Sequence, residues 1–238
     1  MSRIIIITGA SSELGVAISK ALARPDDILV LHYNSNSGPL EAMKDLCRQV
    51  ILVQANFSTP DGINLFCSKI KDADILVNAA ASTITGLLPT LREESIERML
   101  NVNIMATVKV TRRVLPSMVA KRKGCIVNIS SVAATRGNRG QTVYAGTKGF
   151  LNAFTRSLAA EFGAKGVRVN CVAPGPIDTG SLRRLKAYAN RELLASVSVN
   201  RLGSVEEVAA AVRFIVSDEA AFINGQVLHI DGGFMMGV

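Results

Sequence analysis

The sequence predicts an α/β fold in which a parallel sheet of seven strands carries helices on both faces. Short apolar runs rich in β-branched residues alternate with segments whose apolar residues return every three or four positions. The apolar runs are nearly continuous, which is typical of strands buried on both faces of a parallel sheet. Together these observations indicate a doubly wound fold.

The predicted elements follow one another regularly along the chain. The strands are Ile4–Thr8, Ile28–Leu31, Val50–Gln54, Ile75–Val77, Cys125–Ile129, Val167–Val172 and Val227–Ile230. The clearest helices are Leu14–Ala23, Ile96–Val119, Ala145–Phe162 and Val205–Val216. No repeat or linker divides them, so we expect one domain over residues 1–238. The interval 173–204 lacks a strand pattern, and we expect it to include a mobile substrate loop at about residues 176–203.

Composition excludes several classes of protein. With 48% hydrophobic and 19% charged residues, the 238-residue chain can bury one sizeable core and is not intrinsically disordered. No apolar run approaches the roughly 20 residues of a membrane helix, and no signal peptide is recognisable, so we expect a cytoplasmic protein without membrane contact. The four cysteines and two histidines lie far apart, which indicates neither a disulfide framework nor a metal site.

The net charge of +8 is unevenly placed, since the first 80 residues carry −1 and the rest carry +9. Six basic residues and no carboxylate occupy residues 109–123. Such a window could attract phosphate, nucleic acid or an acidic protein, or it could be a solvated helix face. It contains no aromatic residue for stacking on bases, so we expect no nucleic-acid partner.

A glycine-rich turn follows the first predicted strand and leads directly into a helix. Gly9 permits a tight turn, Gly15 allows close packing, and the N–H groups at the helix start favour a pyrophosphate. This arrangement predicts a dinucleotide site of the Rossmann type. Its expected contacts are Gly9, Ser11, Ser12, Leu14 and Gly15.

The residues at the end of the second strand determine whether NAD(H) or NADP(H) is preferred, because a carboxylate there binds the adenosine ribose and repels a 2′-phosphate. No acid is present in the sequence His32-Tyr33-Asn34-Ser35-Asn36. Asn34 and Ser35 could donate to a phosphate, so we expect NADP(H) rather than NAD(H). Glu13 would repel a phosphate in the first turn unless its side chain points outward.

A tyrosine and a lysine four residues apart predict an acid–base pair. Tyr144 and Lys148 would share one face of a helix. A free tyrosine loses its proton only near pH 10, and a nearby ammonium stabilises the phenolate, which makes the phenol usable in acid–base chemistry. Ser130-Ser131 closes the fifth strand and places a hydroxyl at the sheet edge where such folds bind ligands. Asn103 lies in an otherwise apolar helix.

The residues resemble the short-chain dehydrogenases/reductases, and within that family the 3-oxoacyl-[acyl-carrier-protein] reductases. The resemblance extends over essentially the whole chain. Its motifs are the Thr8–Gly15 turn, Asn78-Ala79-Ala80-Ala81, Asn103, Ser131, Tyr144 with Lys148, Pro174–Thr179, Ser217–Gly225 and Asp231-Gly232-Gly233.

The resemblance implies a role for each polar residue of the site. Tyr144 would give its proton to the substrate carbonyl oxygen as hydride leaves the nicotinamide, and Ser131 would hydrogen-bond that oxygen. Lys148 would hold the nicotinamide ribose, and Asn103 would fix a water that passes protons to Lys148. Ile177 and Thr179 would orient the carboxamide. The other implied cofactor contacts are Tyr33, Asn34, Ser35, Asn56, Phe57, Asn78, Ala79, Ala80, Pro174 and Gly175.

Three departures from the family pattern concern the cofactor site. Glu13 stands where the family has a glycine, Asn78–Ala81 replaces Asn-Asn-Ala-Gly, and Asn56 occupies a position often held by an aspartate. We therefore expect weaker or altered cofactor affinity.

The resemblance also implies an acidic partner and an oligomer. Carrier-protein reductases dock acyl carrier protein through basic residues before the fifth and sixth strands; the matching Arg122 and Lys165 could equally be ordinary surface cations. The family implies a homotetramer built from the long helices and the last strand. We expect NADPH-dependent reduction of a 3-oxoacyl thioester to its 3-hydroxyacyl product.

Two alternatives remain open. An enzyme of the same family could act on a free small carbonyl or alcohol, and equal activity with free ketones would favour that reading. A non-catalytic nucleotide sensor or nucleic-acid-binding protein could use the basic segment, but the complete set of four catalytic residues argues against it.

Overall fold

The computed structural model describes residues 2–180 and 193–236. Seven parallel strands form one sheet in the order β3-β2-β1-β4-β5-β6-β7. The strands are β1 Ile4–Thr8, β2 Ile28–Tyr33, β3 Gln49–Gln54, β4 Ile75–Asn78, β5 Gly124–Ile129, β6 Val167–Pro174 and β7 Val227–Ile230. The α-helices described are α1 Glu13–Leu22, α2 Pro60–Lys69, α3 Glu93–Leu100, α4 Ala106–Lys121, α5 Thr142–Phe162 and α6 Val205–Val216. The predicted doubly wound fold and all seven predicted strands are confirmed.

The sheet separates two apolar cores. Successive residues of a strand face opposite sides, so Ile5 and Ile7 of β1 pack with α1 and α6, whereas Ile6 packs with α2, α4 and α5. All three side chains are fully buried. Because the chain returns from β3 to β4 across the sheet, a crevice opens at the carboxyl ends of β1 and β4, where such folds bind ligands.

The structure differs from the expected helices in two places. Helix α2 was not among the predicted helices; it begins with Thr59 as N-cap and Pro60 at its first position, and it buries Ile63 and Phe66. The helix predicted as Ile96–Val119 begins earlier, at Glu93, and a π-helical turn, Asn101–Met105, separates α3 from α4. Such turns are rare and are frequent at functional sites.

Backbone hydrogen bonds join the two ends of the segment that follows β6. Ile177 pairs with Gly203, whose carbonyl accepts from the Asp178 N–H and whose own N–H donates to the Pro176 carbonyl. The two ends of the expected substrate loop therefore meet beside the sheet edge. Residues 181–192 of that expected loop, about 176–203, lie outside the described residues. No helix in the described ranges is long and apolar enough to span a membrane.

Candidate active site

A cleft of about 520 Å³ lies at the carboxyl edge of the sheet, within the usual size range of cofactor sites. It collects residues from segments that are distant in sequence. Those predicted from the sequence are Gly9, Ser11, Ser12, Leu14, Asn34, Asn56, Phe57, Ala79, Ala80, Ser131, Tyr144, Lys148, Pro174, Gly175, Ile177 and Thr179. The same cleft is lined by His32, Ser58, Arg98 and Val102, which sequence reasoning missed.

One end of the cleft holds the tyrosine and lysine. Both stand on α5, and the Lys148 Nζ lies 5.7 Å from the centroid of the Tyr144 ring. Lys148 is 2% exposed, and its Nζ donates to the Ile129 carbonyl at 2.8 Å. No carboxylate among residues 2–180 and 193–236 forms a salt bridge with this ammonium. The ammonium is therefore not neutralised by a carboxylate of the described residues, and it lies beside the Tyr144 ring.

The two serines after β5 have different positions. Ser130 is buried and its Oγ donates to the Lys148 carbonyl at 2.9 Å. Ser131 is half-buried, and its Oγ accepts from the Ala133 N–H at 3.2 Å. Because that bond uses only an acceptor lone pair, the Ser131 hydroxyl hydrogen can donate to a ligand oxygen. The geometry thus favours Ser131 over Ser130 as the substrate-facing hydroxyl.

Asn103 lies in the π-helical turn and is 1% exposed. Its Oδ1 accepts from the Ser82 N–H at 2.7 Å, and its Nδ2 donates to the Ser82 carbonyl and to Thr147 Oγ1 at 3.0 and 2.9 Å. Both amide hydrogens are therefore engaged. The side chain fixes the loop after β4 and the residue before Lys148, which makes Asn103 a positioning residue in this geometry.

The glycine-rich turn has the backbone that a phosphate cradle needs. Gly9 has φ +66°, and a Cβ there would lie 2.7 Å from the Ala80 Cα. A Cβ on Gly15 would lie 2.2 Å from the Gly9 oxygen. Ser12 caps α1, because its Oγ accepts from the Gly15 N–H and donates to the Gly9 carbonyl. The cradle thus fits a pyrophosphate, with Ser11 rather than Ser12 retaining an uncommitted hydroxyl.

The side chain of Glu13 points away from the cleft. Its two carboxylate oxygens accept from the Gly180 N–H at 3.1 and 3.3 Å. It does not line the cleft, and at the first position of α1 its charge is favourable to the helix dipole. The outward direction left open by the sequence is therefore the one observed. Glu13 joins the phosphate turn to the residue after Thr179.

The other end of the cleft has the residues expected near adenosine. Asn56 Oδ1 accepts from both the N–H and the Oγ of Ser58, at 3.0 and 2.7 Å, which leaves the amide hydrogens of Asn56 for a ligand. Arg98 and Val102, four residues apart, border this end. The sequence gives no signal for Arg98, because only the structure shows that Val102, one helical turn later, faces the cleft.

Five predicted site residues do not line the cleft: Gly15, Tyr33, Ser35, Asn78 and Asn103. Tyr33 packs against the core on the α1 side, and Ser35 is exposed. The Asn78 amide donates to Thr111 Oγ1 and Asn128 Oδ1, at 3.1 and 2.9 Å. Asn78 therefore holds β4 to α4 and β5 beneath the cleft.

The predicted docking cations lie together, but away from the cleft. Arg122 Nη2 donates to the Ala164 carbonyl at 3.1 Å, and Lys165 Nζ lies 4.9 Å from the Phe162 ring centroid. Both residues precede the first residues of β5 and β6. At about 3.3 Å per residue, the six residues of β5 place them roughly 20 Å from Ser131.

In the part of the chain that the structure describes, no group of histidine, cysteine or acidic residues is arranged to hold a metal ion. The two buried thiols also lack reactive character, because burial raises the pKa of Cys125 and of Cys171 to about 11.

Known proteins similar to this chain include reductases and dehydrogenases. A family model described as enoyl-(acyl carrier protein) reductase matches residues 9–235. The chain is 36% identical over 238 residues to the 3-oxoacyl-[acyl-carrier-protein] reductase of Escherichia coli strain K12, with 98% of each protein covered. A solved short-chain dehydrogenase/reductase family protein superposes with a TM-score of 0.89 at 31% identity, again over 98% of each chain. A structure from Agrobacterium tumefaciens, assigned provisionally as a 2-deoxy-d-gluconate 3-dehydrogenase and solved with NADP bound, gives a TM-score of 0.90 at 28% identity over 98% of this chain and 96% of that one.

Proposed function

The chain belongs to the short-chain dehydrogenase/reductase family, and from this premise we propose that it reduces a 3-oxoacyl thioester to the 3-hydroxyacyl product with NADPH. The main observation in support is that Tyr144, Lys148 and Ser131 lie together at one end of a dinucleotide-sized cleft. The full-length similarity to a 3-oxoacyl-[acyl-carrier-protein] reductase supports the choice of substrate.

The residues of the chain act on the carbonyl oxygen. The nicotinamide dinucleotide, when bound, would supply hydride for the carbonyl carbon. The Tyr144 hydroxyl gives its proton to the carbonyl oxygen, so hydride and proton together convert the ketone to an alcohol. Ser131 donates a hydrogen bond to the same oxygen and orients it. Lys148 compensates the negative charge that the departing proton leaves on Tyr144.

The other residues of the cleft would hold the cofactor. The turn from Gly9 to Leu14 and the positive end of α1 would bind the pyrophosphate. Asn34, Asn56 and Phe57 would border the adenosine, and Ile177 with Thr179 would border the carboxamide. Each of these residues lines the cleft. This set supports the assignment of a dinucleotide cofactor.

The experiment that tests the proposal compares substrates and cofactors. Oxidation of NADPH and of NADH is followed at the nicotinamide absorbance, with one 3-oxoacyl group presented on acyl carrier protein, on a small thiol and as a free ketone. We expect faster oxidation of NADPH and a further gain on the carrier protein. Equal rates with free ketones would instead assign a small-carbonyl reductase, the alternative that similarity to a sugar-acid dehydrogenase structure favours.

A preference for NADPH depends on the end of β2. Asn34 lines the cleft, and no carboxylate lies at this strand end. For Asn34→Asp we expect the ratio of kcat/KM for NADPH to that for NADH to fall by about 10²-fold, because a carboxylate repels the 2′-phosphate and accepts from ribose hydroxyls. Steady-state kinetics with both cofactors measures the ratio. A ratio that stays within a factor of two would remove Asn34 from the specificity site.

Carrier docking, if it uses Arg122 and Lys165, requires an oligomer. Both residues lie at the sheet edge opposite to the cleft of their own subunit, so an acyl carrier protein bound there would deliver its substrate to the cleft of a neighbouring subunit.

A homotetramer is supported by an apolar groove of about 410 Å³ between α4 and α5, on the outside of the sheet's helical layer. Its apolar lining includes Val108, Leu115, Val119, Phe154, Leu158 and Phe162.

The docking proposal predicts a selective loss. For the double variant Arg122→Glu, Lys165→Glu, we expect kcat/KM with carrier-bound substrate to fall about tenfold or more while the rate with the small thiol is unchanged, since only the acidic carrier is steered by surface charge. Arg48→Glu, a single exposed charge reversal beside β3, controls for a general effect of surface charge. Equal losses for the two forms of substrate, or an equal loss in the control, would contradict docking at this surface.

A further inference from the structure

His32 connects three segments that border the adenosine half of the cleft. Its Nδ1 accepts from the Gly9 N–H at 2.9 Å, and its Nε2 lies 2.9 Å from the Ala55 carbonyl. Its own carbonyl accepts from the Ala10 N–H at 2.9 Å. One residue of β2 therefore ties the phosphate turn to the loop after β3, which carries Asn56 and Phe57.

The contacts of the ring define its protonation. The Gly9 N–H can donate only to an unprotonated Nδ1, so the hydrogen of the neutral ring is on Nε2 and donates to Ala55. The imidazole is stacked on Phe57, with ring centroids 3.7 Å apart and planes inclined by 7°. Only 3% of His32 is exposed, and burial lowers its pKa to about 4. The ring is therefore neutral, and both of its nitrogens are used.

This contact changes which donors the phosphate turn can offer. The Gly9 N–H is used by His32 and cannot also donate to a pyrophosphate. The Ser12 hydroxyl is used within the N-cap. Phosphate binding must therefore rely on Ser11 and on the N–H groups that begin α1, at a turn whose position His32 fixes. Phe57, which lines the cleft, is stacked on the same ring.

We propose that His32 is a positioning residue for the adenosine and phosphate half of the dinucleotide, acting through Gly9 on one side and through Phe57 on the other. This inference rests on the proposed function only for the identity of the nucleotide. According to this proposal, His32 affects the affinity for the nucleotide. It does not affect proton transfer at Tyr144, which lies at the other end of the cleft.

The test uses variants that keep different parts of the ring's function. Asn places an acceptor near the Nδ1 position and keeps the bond from Gly9, Gln reaches Ala55 but gives Gly9 no acceptor, and Phe keeps stacking alone. Affinity for adenosine 2′,5′-bisphosphate and for NADPH is measured by calorimetry, without substrate. Val167→Ala controls for a general loss of stability. Val167 is fully buried at the start of β6, so it lies at the amino end of the strands, opposite to the cleft.

We expect His32→Phe to raise both dissociation constants about tenfold or more, which is the effect of losing roughly one well-placed hydrogen bond. His32→Asn should bind more tightly than His32→Gln, and kcat at saturating NADPH should change less than twofold. Unchanged affinity in the folded variants, equal affinity for Asn and Gln, or the same loss in Val167→Ala would overturn the proposal. Because binding is measured without substrate, failure of the reductase assay would leave this result interpretable.

Discussion

Replacing Tyr144 by Phe is expected to lower kcat by about 10²–10⁴-fold, the usual contribution of a positioned acid. Phe keeps the ring that packs beside Lys148 and removes only the hydroxyl. The carbonyl oxygen then has no proton donor of suitable acidity, although Ser131 still donates a hydrogen bond to it. Single-turnover reduction followed at the nicotinamide absorbance measures the loss directly.

Nucleotide binding separates this effect from damage to the site. NADPH affinity in Tyr144→Phe should remain within about threefold of wild type, because the phosphate turn and the adenosine end involve other segments. A variant that binds NADPH normally and still turns over at a rate within tenfold of wild type would show that Tyr144 is not the acid. Ser131 would then be the next hydroxyl to test, since it also lines the cleft.

The parts of the site that the sequence predicts well depend on local spacing. Tyr144 and Lys148 stand on one helix face because they are four residues apart, and Ser131 lies at the sheet edge because it is the second residue after β5. Gly15 is required by backbone contacts with Gly9 and Ala10 inside one turn, whereas the close contacts of Gly9 are with Ala79 and Ala80, far along the chain. Where the interacting groups lie within a few residues, as for Gly15 and for Tyr144 with Lys148, periodicity and turn chemistry suffice.

The parts that the sequence does not predict depend on distant partners. The Glu13 carboxylate, which points away from the cleft, accepts from the Gly180 N–H, 167 residues later in the chain. Asn78 is drawn below the cleft by Thr111 and Asn128, which become its neighbours only when α4 and β5 pack against β4. His32 is a polar residue in an apolar strand, a visible anomaly whose meaning depends on Gly9 and Ala55.

The elements of the fold also differ in how well the sequence predicts them. Runs such as Ile4–Thr8 predict buried strands because the composition itself encodes burial on both faces. Helix α2 has a weaker apolar pattern and is defined largely by its Thr59 and Pro60 start. The π-helical turn around Asn103 has no sequence signature of its own, because it reflects contacts of the buried amide with Ser82 and Thr147.

Replacing Lys148 by Met is expected to reduce turnover as strongly as Tyr144→Phe and, unlike that change, to weaken NADPH binding too. Met has a similar length and flexibility but no charge. In the proposed mechanism, the cleft then loses the cation that would compensate the phenolate and hold the nicotinamide ribose. The Ile129 carbonyl also loses its donor from Nζ, at a cost of about 1–3 kcal/mol in stability.

The variants can be ordered by what each retains. Lys148→Arg keeps a cation, but the guanidinium is larger and the site is 2% exposed, so activity should be only partly restored. The expected order of kcat/KM is wild type, then Arg, then Met, with NADPH affinity in the same order and thermal stability measured alongside. If Met lowered stability but left kcat and NADPH affinity within a factor of three, Lys148 would be a buried structural cation. The charge that stabilises the phenolate would then have to come from another group.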